Sequence, residues 1–241
     1  MNTRLTRLLG IQHPIVLPGM TYVAVPRLVG AVSAAGGLGI LASGALSPDE
    51  CRRDIEQIRA ITDRPFGVGF SLALPGAIDC VDVALQARVP VLNISMGKGD
   101  WVIERAHAYG GKVIATVSNE KHARSAIDSG VDGLIVTGHE AAAHGGHVTS
   151  MVLIPAVRDM CDLPIIAAGG VADGRGLLAG RRGRPRRAHE PLRDRHARGQ
   201  EQDRRGAALF ALARFVEHPD PVAADRLAPR AASARRPSRS D

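Results

Sequence analysis

The chain has 241 residues, 45% of them apolar, with 31 lysines and arginines against 24 acids and a formal charge of +7. That length and apolar share suit one sizeable core in one domain. Nothing approaches the roughly 18 consecutive apolar residues of a membrane span, and Cys51, Cys80 and Cys161 form no C-x-x-C pair, which argues against a disulfide framework or structural zinc and for a reducing cytoplasm.

The N-terminus offers Arg4 and Arg7, but Gln12, His13 and two prolines break up the residues after them, so the apolar core of a signal peptide is missing. The expectation is a soluble, cytoplasmic protein. A short apolar run at 15–17 is the first candidate strand. Pro26 then opens a helix that closes near Gly36, where glycine accepts a left-handed turn. A second strand at 38–42 is followed by Ser47-Pro48-Asp49-Glu50, a capping box with proline at the first helical position, and Ile55 and Ile58 mark the buried stripe of that helix. Strands at 66–70 and 91–94 come next, then a helix at 101–109, a strand at 112–117, a helix at 120–128, and strands at 133–136 and 164–168. These runs carry little polar alternation, as parallel strands buried on both faces do. The βαβα order selects an α/β fold with a parallel sheet and right-handed crossovers. An open doubly wound sheet shares that order. Even spacing, and polar or glycine-rich residues just after the strands, favour a TIM-type (β/α)8 barrel.

After residue 179 the composition changes abruptly. Residues 1–180 hold 15 basic against 16 acidic residues, whereas 181–241 hold 16 arginines, no lysine and 8 acids. Two units are therefore expected: a barrel of seven βα units at 1–179, and a basic, largely disordered tail at 180–241. No eighth strand is legible, and the one apolar stretch of the tail, 207–216, reads as a short helix. The arginine-rich text reads as the product of a shifted frame in a GC-rich gene. Interspersed acids and the lack of stacking aromatics argue against a nucleic-acid partner.

Two segments carry chemistry. The first is Thr137-Gly138-His139-Glu140-Ala141-Ala142-Ala143-His144-Gly145-Gly146-His147, which comes directly after a strand and so lies at the mouth of a barrel. Its H-E-x-x-x-H spacing turns the second imidazole about 140° from the first on a helix, which excludes the zinc-hydrolase arrangement. A looser metal site of His139, His144 and His147 has no spacing signature, and no metal is expected. His144 is the candidate acid/base, because an imidazole titrates near physiological pH. The second segment is a buried run ending in Gly169-Gly170, whose amides are candidates to cradle a phosphate. Pro18-Gly19-Met20, after the first strand, gives a small residue and a flexible thioether that can pack under a flat ring.

Taken in order, residues 14–20, Ala34-Ala35-Gly36-Gly37-Leu38-Gly39, Phe66-Gly67-Val68, residues 137–144 and Ala167-Ala168-Gly169-Gly170 resemble nitronate monooxygenases. The same motifs are similar to the flavin-containing enoyl-acyl-carrier-protein reductases. The resemblance implies an FMN barrel. His144 would be the catalytic acid/base, Gly169 and Gly170 would hold the phosphate, Thr137 and Ala142 would line the flavin, and Gly19, Met20 and Gly69 would lie near it. It implies a nitronate oxidised with O2 to a carbonyl compound and nitrite, without nicotinamide. NAD(P)H-dependent reduction of an enoyl thioester is the alternative activity, and a non-catalytic remnant or basic binding protein is a third reading. This sequence departs from the family at Gly69, where asparagine is usual, at Ala142 and Ala143, which replace a glycine pair, and in lacking the eighth strand with its Gly-Thr-Arg-Phe motif. An unclosed barrel exposes the edges of its first and seventh strands, and such an edge gives a second chain a place to pair.

Overall fold

The computed structural model describes residues 2–141, 145–171 and, for the backbone, 208–209. Its elements in chain order are α1 (Arg4–Leu9), β1 (Val16–Leu17), α2 (Pro26–Ala34), β2 (Leu38–Ala42), α3 (Pro48–Ile61), β3 (Gly67–Ser71), α4 (Ala77–Gln86), β4 (Val91–Ser95), α5 (Asp100–His107), β5 (Lys112–Val117), α6 (Glu120–Asp128), β6 (Gly133–Thr137), α7 (Ser150–Met160), β7 (Ile165–Ala168) and β8 (Ala208–Leu209). The strands pair in sequence order from β1 to β8, every pair parallel.

Side-chain alternation divides the core in two. Val68, Phe70, Leu92, Ile94, Val113, Ala115, Leu134, Val136 and Ile165 pack in one buried cluster with Ile55 and Ile58 of α3, Val81 of α4, Val102 of α5 and Leu153 of α7. Their strand neighbours Val16, Leu38, Ile40, Val91, Ile114, Ile135 and Ile166 form a second cluster with Leu5 and Leu9 of α1. Residues of β1 and β7, far apart in the sheet order, thus share one interior, as they do when a parallel sheet curls into a barrel. The plug at its base is α1. Its capping box is built from Thr3 and Thr6, and it ends at Gly10, whose φ is +67°.

Local chemistry sets the helices. Ser47 Oγ accepts from the Glu50 amide at 3.3 Å, while the Glu50 carboxylate accepts from the Ser47 amide at 2.8 Å, so the start of α3 is satisfied within four residues. Pro26 stands at the first turn of α2, and Gly36 comes just after that helix with a φ of +91°. A Cβ at Gly39 would collide with the Val29 backbone, so glycine is what lets α2 lie directly on β2. Cys51 and Cys80 are buried between α3 and α4, and desolvation pushes the Cys51 thiol up to about 12.

The eighth strand departs from the sequence expectation. Ile166 pairs with Ala208 and Ala167 with Leu209, so the apolar stretch expected to be helical begins as strand. An apolar run this short fits either state, and the free edge of β7 supplies the backbone partners that decide for strand. Among the described residues no hydrogen-bonded pair joins β8 to β1. The rest of the tail, and with it the expected disorder and frame shift, lies outside the described residues. No helix among the described residues is long and apolar enough to cross a membrane.

Candidate active site

Going up the inner wall from α1, the side chains change character. Ile40, Ile114, Ile135 and Ile166 are buried, and the inward positions above them are Gly69, Ser71, Asn93, Ser95, Thr116, Thr137 and Ala168. Apart from the buried Asn93, these upper residues are all half-exposed. Small and polar side chains left partly open at the strand C-termini make a concave mouth over an apolar floor, which is where barrel enzymes place their sites. A polar ladder stiffens one side of it. Asn93 Nδ2 donates to the Ile114 carbonyl at 3.1 Å and to Thr116 Oγ1 at 3.0 Å, Ser71 Oγ and Ser95 Oγ are 3.2 Å apart, and Ser43 Oγ donates to the Gly69 carbonyl at 2.7 Å. A Cβ at Gly19 would lie 3.4 Å from the Leu41 carbonyl oxygen and 3.7 Å from the Gly69 Cα. Two residues without side chains thus adjoin at the rim.

The loop after β6 is built around Glu140. Its carboxylate accepts from the backbone N–H and from the hydroxyl of Ser150, each at 2.9 Å. Ser150 is the first residue of α7, whose own N-cap, Thr149, makes no side-chain cap. A carboxylate ten residues upstream therefore does the capping, favourably placed at the positive end of the helix. Ser150 Oγ in turn accepts from the Gly138 amide at 3.1 Å, and the Ser150 backbone hydrogen bond is the main reason the Glu140 carboxyl is held below its ordinary range. The loop is also clasped from the other side: the His139 amide donates to the Val148 carbonyl at 2.8 Å, and a Cβ at Gly146 would collide with the Ser118 carbonyl.

The turn after β7 meets the same residue. Gly169 and Gly170 have φ of +87° and +72°, and a Cβ on them would lie 3.1 Å from the Glu140 carbonyl carbon and 3.4 Å from Glu140 Cβ respectively. Positive φ and this close approach each call for glycine here. The two chemistry-bearing segments of the sequence are thus adjacent through Glu140.

Of the other residues singled out in the sequence, Thr137 faces inward beside Ala168, its register partner on β7. Gly19 and Gly69 adjoin at the rim. Met20 is half-buried against the helix-side cluster. Ala142 and His144 lie outside the described residues. They are attached between Ala141 and Gly145, which come close together: a Cβ on Gly145 would be 3.2 Å from the Ala141 Cβ. No group of three or more metal-ligating side chains occurs among the described residues. An open cleft of about 660 Å³ lies along α6, where Lys98, Lys121 and Arg124 are opposed by Asp100 and Asp128.

Sequence reasoning passed over Asn93, Thr116 and Ser150. Asn93 had a signal, as the one amide inside an apolar run. Ser150 had none, since its partner is ten residues away.

Known proteins resemble the chain in both sequence and fold. The family model described as nitronate monooxygenase matches residues 2–85 and 76–180. The (3aS,4S,5R,7aS)-5-hydroxy-7a-methyl-1-oxo-octahydro-1H-indene-4-carboxyl-CoA dehydrogenase of Rhodococcus jostii is 40% identical over 179 residues, covering 74% of this chain and 51% of that protein. A probable nitronate monooxygenase of Staphylococcus saprophyticus is 28% identical, covering 74% of this chain and 64% of its own length. Among solved structures, FabK from Thermotoga maritima superposes with a TM-score of 0.74 at 37% identity, over 88% of this chain and 61% of that one. The chain spans about half the length of the curated relatives it matches first.

Proposed function

The chain belongs to the nitronate monooxygenase family, and on that footing we propose that it is a flavin-dependent oxidoreductase of carbon acids, with FMN seated across the mouth of the barrel. The observation that carries this reading is the inner wall, where a buried isoleucine layer gives way to a half-open ring of Gly69, Ser71, Ser95, Thr116, Thr137 and Ala168. Small, partly open side chains around an apolar floor support a flat ligand there. Gly19, Gly69, Thr137, Met20 and Ala142 are assigned to the ring system, and the amides of Gly169 and Gly170 to the phosphate. FMN, when bound, supplies the redox centre. The protein orients the substrate against it, keeps water from the reacting carbon, and exchanges a proton with the substrate through His144.

The first substrate reading is an alkyl nitronate, consumed with O2 to give a carbonyl compound and nitrite. A second is favoured by a specific observation: the relative named as a CoA dehydrogenase is 40% identical, against 28% for the one named as a nitronate monooxygenase. A nitro group and a thioester both acidify a neighbouring C–H, so one arrangement of base and flavin serves either. The catalytic unit is residues 1–179, and the tail of 180–241 is assigned no part in the chemistry.

Anaerobic mixing of the flavin-loaded protein with a nitronate and, separately, with an acyl-CoA tests the reading. Bleaching of the flavin by either establishes the carbon-acid reaction, and nitrite release in air selects the nitronate. Steady NADH oxidation with an enoyl thioester selects the reductase alternative. Inertness of the loaded protein toward all three would refute the proposal.

A further inference from the structure

Glu140 differs from the other helix-capping carboxylate, Glu50. Glu50 caps its own helix from three residues away, through a box closed on Ser47, and touches nothing else of consequence. Glu140 caps a helix to which it does not belong, and its reach has two further consequences. Through Ser150 Oγ, which accepts from the Gly138 amide, it fixes the turn at 138–141 directly after β6. Through its own backbone and side-chain stem it is the surface against which Gly169 and Gly170 turn.

We propose that Glu140 is a positioning residue that holds the turn at 138–141, the start of α7 and the Gly169-Gly170 turn in one fixed relation, so that the phosphate-binding amides are aligned with the end of β6. This rests on the flavin reading above. A carboxylate suits the task because it accepts two hydrogen bonds at once, from Ser150 N and Ser150 Oγ, and needs no protein cation: the helix end balances its charge. Removing it leaves the Ser150 amide without its partner, frees the Ser150 hydroxyl to rotate away from Gly138, and removes the stem under the glycine turn.

The test compares Glu140→Ala, Glu140→Gln and, as a cap with no site behind it, Glu50→Ala. Glu140→Ala is expected to speed amide hydrogen exchange in 138–141 and in 165–170 together. It should also raise the FMN Kd and lower kcat by roughly a hundredfold, the scale of a misplacement of about 1 Å, with KM moving less. Glu140→Gln keeps an acceptor oxygen and is expected to recover most of the FMN affinity. Glu50→Ala is expected to lower the melting temperature and leave FMN binding and kcat as they are.

If Glu140→Ala behaves as Glu50→Ala does, or speeds exchange only in the first turn of α7, the proposal is overturned. Should Glu140→Ala not fold, Ser150→Ala carries the test. It removes the hydroxyl link to Glu140 and Gly138 but keeps the amide bond, so a partial loss of FMN affinity is expected, and no loss overturns the proposal. Hydrogen exchange separates the two claims: coupled loosening of both segments in a protein that binds no FMN sinks the flavin reading and leaves the positioning role standing.

Discussion

The two ends of the barrel interior are made by the same strands from residues of opposite kinds. At the base, Leu5 and Leu9 of α1 close onto Leu38, Ile40, Val91, Ile114, Ile135 and Ile166, all buried. At the mouth, two or four residues further along the same strands, the inward positions carry glycine, serine, threonine, asparagine and alanine, most of them half-exposed. The base spends its side chains on packing. The mouth gives up that packing to leave a space and to line it with hydrogen-bonding groups. The comparison implies that stability and ligand binding are separable along one strand by moving a few residues.

The largest expected effect is at the base. Ile40→Ala or Ile166→Ala removes a buried branched side chain, and urea unfolding should show a loss of about 2–5 kcal/mol. FMN affinity of the folded fraction should stay unchanged. A binding defect as large as the stability defect would erase the distinction between the ends.

Next in size is Gly169→Ala. The new methyl would lie 3.1 Å from Glu140 backbone atoms on a residue with φ of +87°. Strain of this kind costs about 1–3 kcal/mol, and here the FMN Kd, measured by quenching of flavin fluorescence, should worsen more than the melting temperature falls.

Thr116→Val takes a hydroxyl from the mouth at nearly constant volume and leaves the Asn93 amide with the Ile114 carbonyl alone. A stability loss of about 1 kcal/mol is expected, together with a shifted flavin absorption spectrum. An unshifted spectrum would place Thr116 outside the flavin's surroundings.

The smallest effect is in acid. Glu50 and Glu140 both have carboxyls held below the ordinary value of 4.5, each chiefly by a serine backbone N–H. A lowered carboxyl adds stability that is present above the unfolded-state value and is lost as the pH falls through the folded-state value. Wild type should therefore lose melting temperature below pH 4.5, and Glu140→Gln should lose less over the same range.

The base was more legible in the sequence than the mouth. Strands β2 and β5 and helix α6 coincide with the ranges read from residue patterns, because uninterrupted apolar runs and a helix closed by Gly130 are local signals. The box at Ser47 and Glu50 was legible for the same reason, both partners lying within one helical turn. Helices α1, α4 and α7 escaped; the N-caps of α4 and α7, Gly76 and Thr149, make no side-chain cap bond, and Pro155 breaks the helical pattern of α7. At the mouth, glycines announced themselves by type. Asn93 was passed over although it stands out as the one amide inside an apolar run, and the pairing of Glu140 with Ser150 exists only once β6, α7 and β7 are assembled. The two-residue β8 was missed because an apolar stretch between arginine-rich segments does not declare which edge it will join.

The most direct measurement is a titration of the purified full chain with FMN, monitored by flavin fluorescence and the visible spectrum. A yellow protein that binds one FMN per chain, quenches its emission and loses that binding in Gly169→Ala but not in Ile40→Ala is the expected result. A colourless protein that leaves added FMN emission unchanged would contradict the assignment of the mouth as a flavin site.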